Sequence, residues 1–236
     1  MTEACKDGSA AHAGVLVPWA NTVVEAELHR VTGAMVTWHY SRLVPESRTT
    51  GLDGRFLTGL LRAVPGAIGQ LAALPLRRAY LACTSAVFMY PELARQVRRG
   101  AAVEQVSAFE LVSAFEALTV ALSELTADRI VLVTPYPEEV TAAEAAMFSV
   151  AGITVTGRGS LGLRDGYDTV THRQIKELVS KVGHDAMGDA DAIVLSCTGW
   201  PTLDLIPELQ RCLGRPVISS NLAIALHALG KETDAC

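Results

Sequence analysis

The chain has 236 residues, half of them hydrophobic, and a formal charge of −5 from 20 basic and 25 acidic side chains. That is enough for one large domain or two small ones with substantial cores, while the apolar residues are too dispersed to supply a membrane span. Arg95, Arg98 and Arg99 read as a solvated face near a helix end rather than a nucleic-acid footprint, and five cysteines without CxxC spacing argue against a disulfide framework or a zinc site.

The histidines (His12, His29, His39, His172, His184 and His227) form no HxxxH or HxH pair, so no metal and no cofactor is expected. Unpaired cysteines fit a reducing cytoplasm. The stretch 1–13 is small and polar, lacks the basic start and apolar run of a signal peptide, and reads as a flexible leader.

Short β-branched or apolar runs then alternate with longer helical patterns, which predicts parallel strands joined by crossover helices. The strands are expected at 15–18, 35–40, 78–83, 130–134, 153–156, 192–197 and 217–219. Several are continuous apolar runs, as in a parallel sheet covered on both faces. Pro65 is expected to kink or divide the helical stretch 52–74. Over 109–125, Leu111, Phe115, Leu118, Leu122 and Leu125 fall on one helical face, as do Val140, Ala143, Met147 and Val150 in the following helix. Further helices are expected at 203–213 and 221–229.

An internal repeat organises these elements. Val15-Leu16-Val17-Pro18 is echoed by Val131-Leu132-Val133-Thr134-Pro135, and Ala82-Cys83-Thr84-Ser85 by Ser196-Cys197-Thr198-Gly199. The separations agree, 65 residues from Pro18 to Cys83 and 62 from Pro135 to Cys197. Two similar α/β units in pseudo-symmetry explain this. The expected division is 1–107 plus 217–236 for the first and 108–216 for the second.

Ligands bind beyond the carboxyl ends of strands in open α/β sheets. Both cysteines stand there, so facing units would bring two thiols to opposite sides of one small ligand. A strand-to-helix junction offers unpaired N–H groups and a positive helix end, which stabilise thiolate. The same groups, with the hydroxyls of Thr84, Ser85 and Thr198, hold a carboxylate without an arginine. One thiol then attacks or takes a proton while the other returns one. A lone strand-end cysteine is more often packing; a repeated pair favours function. Cys5 and Cys236 lie near the ends, and Cys212 reads as packing on its helix.

Tyr136 reads equally as a phenol donor to a carboxylate or as a wet-tipped tyrosine at a sheet edge. Asn21 favours an N-cap over a ligand donor. Trp19 reads as a pocket wall or a plug, and Asp204 and Glu208 as complements of a helix dipole. Gly157 and Gly159, in GRGSLG, match a dinucleotide fingerprint in neither context nor spacing.

VPWANT (17–22), ACTS (82–85), VTPY (133–136), SCTG (196–199) and TLDLIPEL…LGRPVISSN (202–221) together resemble the aspartate/glutamate/hydantoin racemase superfamily, in its maleate cis–trans isomerase and arylmalonate decarboxylase branch. The resemblance implies two flavodoxin-like units around a cofactor-free site. It implies Cys83 as nucleophile on maleate, Cys197 as acid/base, and Asn21 and Tyr136 on the carboxylates, with Gly199 beside Thr198 in the same segment. Racemases of the superfamily exchange an α-proton between two such thiols. The decarboxylase lacks the first cysteine, so Cys83 argues against a strict decarboxylase. Departures are Trp19 and Ala20 in place of small polar residues, Gly166 in place of an asparagine, and Pro91 where a glycine is usual after the CTS segment. They imply a more apolar pocket with one fewer carboxylate donor. The expected function is isomerisation of a small dicarboxylate, with racemase, 2-substituted malonate decarboxylase and non-catalytic small-acid binder as alternatives. Homo-oligomerisation also fits the superfamily.

Overall fold

A computed structural model describes residues 10–48, 50–103 and 109–233. Cys5, Cys236, the leader up to Ser9 and the division expected at 107 lie outside them. The first half forms an all-parallel sheet from β1 (Ala11–Pro18), β2 (Val36–Leu43), β3 (Arg78–Leu81) and β4 (Glu110–Ser113), in the order β2-β1-β3-β4. The second half repeats it with β5 (Arg129–Thr134), β6 (Thr154–Ser160), β7 (Ala192–Leu195) and β8 (Val217–Ser219), in the order β6-β5-β7-β8. Both are the flavodoxin-like order, whose switch points lie between β1 and β3 and between β5 and β7. All seven expected strands are present.

The connections in the first half are α1 (Val24–Thr32), α2 (Gly54–Leu71), α3 (Thr84–Met89) and α4 (Pro91–Val103), followed after β4 by α5 (Ala114–Glu124). The second half contains α6 (Glu138–Val150), α7 (His172–Ser180), α8 (His184–Gly188), α9 (Ile206–Leu213) and α10 (Ser220–Thr233). Strand residues alternate between two hydrophobic clusters. Leu16, Val131 and Val133 face one with α2 and α7, while Val15, Val17, Ile130 and Leu132 face the other with α1, α5 and α10. Each sheet is therefore covered on both sides, which explains the uninterrupted apolar strands. Phe115 of α5 meets Phe148 of α6 at 4.8 Å between ring centroids, so the second cluster joins the halves.

Five expectations change. First, β4 occupies the start of the stretch expected to be helix from 109. Ser113 accepts from the Glu116 N–H while the Glu116 carboxylate takes the Ser113 N–H, a capping box that starts α5 there. Second, 11–13 is not a leader: Ala11, His12 and Ala13 pair with Val36, Thr37 and Trp38. Third, α2 runs through Pro65 undivided, held by the buried stripe Leu57, Leu60, Leu61, Val64 and Ile68 on both sides of the proline. Fourth, β8 pairs with β7 in the second sheet, and only α10 returns to the first half, packing on α1 and α5. Fifth, Cys212 is exposed, because α9 buries Ile206 and Leu209 instead.

Gly157 and Gly159 lie on β6, where a Cβ on Gly157 would stand 2.8 Å from Ala186 Cβ and 2.9 Å from Val182 Cγ1. They are close-packing glycines. Arg95 and Arg98 are paired with Glu92 and Glu116. Asp204 and Glu208 pair with Arg30 and Lys176.

Candidate active site

The carboxyl ends of β1 and β3 and of β5 and β7 open into one pocket. The first half contributes Asn21, Cys83, Thr84 and Ser85, and the second contributes Tyr136, Cys197, Thr198 and Gly199. The two cysteines and the six residues expected to bind substrate thus line the same cavity.

The local chain explains each placement. Cys83 is the extended N-cap residue of α3, two positions beyond β3. Its sulfur lies 3.7 Å from Ser85 Oγ. Cys197 stands two positions beyond β7, and its own N–H donates to Ser220 Oγ at 3.1 Å. The helix expected after it is absent, since a turn follows, and the N–H that reaches its sulfur is that of Gly199, at 3.2 Å.

Hydrogen bonds sew the halves together across the pocket. Thr198 Oγ1 donates to the Ala82 carbonyl at 2.7 Å and accepts from Asn21 Nδ2 at 3.1 Å. Asn21 Oδ1 meanwhile accepts from the N–H groups of Val23 and Val24 at the start of α1. The N-cap position itself belongs to Val23, so the Asn21 oxygen anchors the entry to α1 from two residues upstream, while Asn21 lines the pocket. Tyr136 OH and Thr84 Oγ1 are 3.0 Å apart, so Tyr136 is buried and hydrogen-bonded rather than a wet sheet-edge residue.

Tyr167 is the main lining residue that the sequence reading missed. Its ring stands edge-on to Tyr136 at 5.5 Å, and its buried hydroxyl has no partner. The signal was present in Gly166, whose left-handed conformation (φ 67°) starts the turn that carries Tyr167. Leu52 and Phe56 add an apolar wall, and Asp165 and Asp168 stand at the rim, hydrogen-bonded by Thr50 and Thr22. Trp19 packs against the first cluster rather than lining the pocket. A cluster of three or more His, Cys, Asp or Glu able to hold a metal is absent among the described residues.

Burial acts on both thiols. Burial raises the Cys83 pKa, opposed by the Ala86 N–H and the Ser85 hydroxyl. Burial pushes Cys197 up to about 12 despite hydrogen bonds from Tyr136 and the Gly199 N–H, with Cys83 and Glu144 adding to the rise. Burial likewise raises Tyr136 and Tyr167, and the Cys197 charge raises both further. Burial thus favours the neutral thiol at both positions, each opposed by one backbone N–H and one side-chain hydroxyl.

The sequence profile of the arylmalonate decarboxylase family matches residues 83–234, which contain both cysteines. The chain belongs to this family. An arylmalonate decarboxylase of Bordetella bronchiseptica is 38% identical over 104 residues, 43% of this chain and 43% of that enzyme's length. A maleate isomerase of Nocardia farcinica (strain IFM 10152) is 26% identical over 227 residues, 92% of this chain and 88% of its own. A solved Nocardia farcinica maleate cis-trans isomerase, a cysteine-to-serine variant with a covalently bound succinylcysteine intermediate, shares the fold. Its TM-score is 0.83 at 23% identity, over 94% of this chain and 93% of that one. Within the family the chain therefore has the two-sheet fold of the isomerases along nearly its whole length. Among the described residues no helix is long and apolar enough to cross a membrane.

Proposed function

We propose that this family member is a cofactor-independent isomerase that converts maleate to fumarate, with Cys83 as nucleophile and Cys197 as acid/base. The observation that carries the reading is the convergence of two buried thiols, one from each half, on one pocket. The near full-length likeness to maleate isomerases, one of them solved with a succinylcysteine, supports it.

The steps follow from the groups present. Cys83 thiolate adds to C2 of maleate, forming the C–S bond and placing the electron pair of the double bond on C3, delocalised into its carboxylate. The Cys197 thiol gives its proton to C3, leaving a succinyl thioether. C2–C3 is now a single bond and rotates. Cys197 thiolate takes the C3 proton back, the double bond re-forms as the C–S bond breaks, and fumarate leaves. No atom is gained or lost. The second amide hydrogen of Asn21 holds one carboxylate beside Thr198 and Gly199, while Thr84, Ser85 and Tyr136 hold the other. Donors fixed before reaction are worth most where charge develops.

A second reading, decarboxylation of a 2-substituted malonate, is favoured by the family profile and the 38% identical segment. It needs only the Cys197 thiol to protonate the product carbanion. Proton NMR in deuterated buffer separates the readings. With maleate the fumarate signal is expected to grow, and with phenylmalonate no phenylacetate is expected. Release of phenylacetate with inert maleate would move the function to the decarboxylase. Loss of the α-proton signal of aspartate or glutamate would move it to a racemase. Saturable binding without any turnover would leave a small-acid binder.

A further inference from the structure

Glu144 is a buried carboxyl group that the proposed chemistry leaves idle. It stands in the middle of α6 at no solvent exposure. One of its oxygens is hydrogen-bonded to the hydroxyl of Ser196, the residue before Cys197, and the other has no partner.

Among the described residues no cation is hydrogen-bonded or ion-paired to Glu144. On α6 itself Glu138 and Glu139 are exposed and paired with Arg158 of β6 and Arg164. On β5, Arg129 is paired with Asp189. The whole of α3, which packs on α6, is uncharged. Toward the pocket the titratable groups are Tyr136 and Cys197, each of which feels the Glu144 charge, with Cys83 and Tyr167 beyond them.

A carboxylate here would keep a bare anionic oxygen out of reach of water and of any donor. The neutral acid lowers that cost: Ser196 Oγ still donates to one oxygen, and the other no longer carries a bare charge. Burial accordingly lifts the Glu144 pKa to about 8, and the Ser196 hydrogen bond works in the opposite direction.

We propose that Glu144, through Ser196, is a positioning residue for the Cys197 thiol, neutral in the working enzyme and, when ionised, placing a charge that opposes the Cys197 thiolate and so hinders delivery of the thiol proton to C3. The proposal rests on the isomerase reading for its effect on turnover, but not for the coupling itself. Cys197 must pass through its thiolate once per cycle, and a carboxylate behind it opposes that state.

The sign in a pH–rate profile is fixed. Activity is expected to fall in a step as Glu144 ionises near pH 8, below the range in which burial places the ionisation of Cys83. Glu144→Gln is expected to retain wild-type turnover below the fall and to lose the fall itself. Ser196→Ala removes the bond that favours the carboxylate, so its fall is expected at higher pH. A fall unchanged in Glu144→Gln overturns the proposal, as does an unmoved fall in Ser196→Ala should the glutamine variant not fold. The second readout needs no substrate. In protein labelled at cysteine Cβ, with Cys197→Ser for assignment, the Cys197 carbon resonance is expected to show a small step near pH 8 and to keep its thiol position. Glu144→Gln is expected to abolish that step. A step that persists in Glu144→Gln, or no step in the wild type, sinks the coupling even if maleate is turned over. A step that behaves as expected beside inert maleate sinks the isomerase reading alone.

Discussion

Several side chains in the pocket have jobs that burial alone would make costly. Tyr136 is fully enclosed, yet its hydroxyl meets Thr84 across the two halves. Tyr136→Phe leaves Thr84 short of a partner and removes a proposed carboxylate donor. An unmet buried hydrogen bond of this kind costs about 1–3 kcal/mol, so kcat/KM for maleate is expected to fall by about 10- to 100-fold. Steady-state kinetics check this. Glu144 makes a separate statement about stability. Its folded pKa of about 8 lies above the ordinary 4.5, so the native state binds more protons than the unfolded chain between those values. The stability it contributes is complete below about pH 4.5 and is lost as pH rises through about 8. Urea titrations across that window should show a decline in the wild type that is absent in Glu144→Gln.

At the scale of elements, close packing of β6 is directly testable. Gly157→Ala brings a methyl within 2.8 Å of the Ala186 methyl, a contact that no flexible side chain relieves. It is expected to destabilise by about 1–3 kcal/mol, read as a lower denaturation midpoint with an unchanged slope. The same scale shows what the sequence makes legible. Strands buried on both faces announce themselves as apolar runs, and the repeat places both cysteines correctly beyond β3 and β7. The strand β4 escapes because its Leu111 falls in step with the helical face of α5, so periodicity alone carries the helix too far back. Two local signals mark the boundary: Ser113 with Glu116 as a capping box, and Leu111-Val112-Ser113 as the counterpart of Val217-Ile218-Ser219. Tyr167 escapes for a different reason. Gly166 marks the turn that carries it, but how that turn after β6 folds back over Tyr136 is a tertiary contact that the glycine alone does not specify. The bond from Glu144 to Ser196 is equally invisible, since 52 residues separate the partners.

Across the whole molecule, the pocket exists only while the two halves hold their relation. Glu27 of α1 is buried and accepts from the N–H groups of Thr202 and Leu203, both at 2.8 Å, and from Asn221 Nδ2 at 2.7 Å. Asn221 also donates to the Thr198 carbonyl, so this carboxylate connects the first half to the loop that carries Thr198 and Gly199. Glu27→Leu strands three donors and is expected to cost about 3 kcal/mol or more. Thermal unfolding measures that loss, and turnover is expected to fall with it. Thr198 links the halves a second time, through the Ala82 carbonyl and Asn21. Stability and binding geometry thus depend on the same few side chains.

The pairing of one thiol from each half is tested most directly by following maleate and fumarate by proton NMR with wild type, Cys83→Ser and Cys197→Ser at matched concentration. Fumarate is expected from the wild type and from neither variant, because one thiol cannot both hold the adduct and exchange its proton. Fumarate formed at the wild-type rate by either serine variant would contradict the two-thiol mechanism.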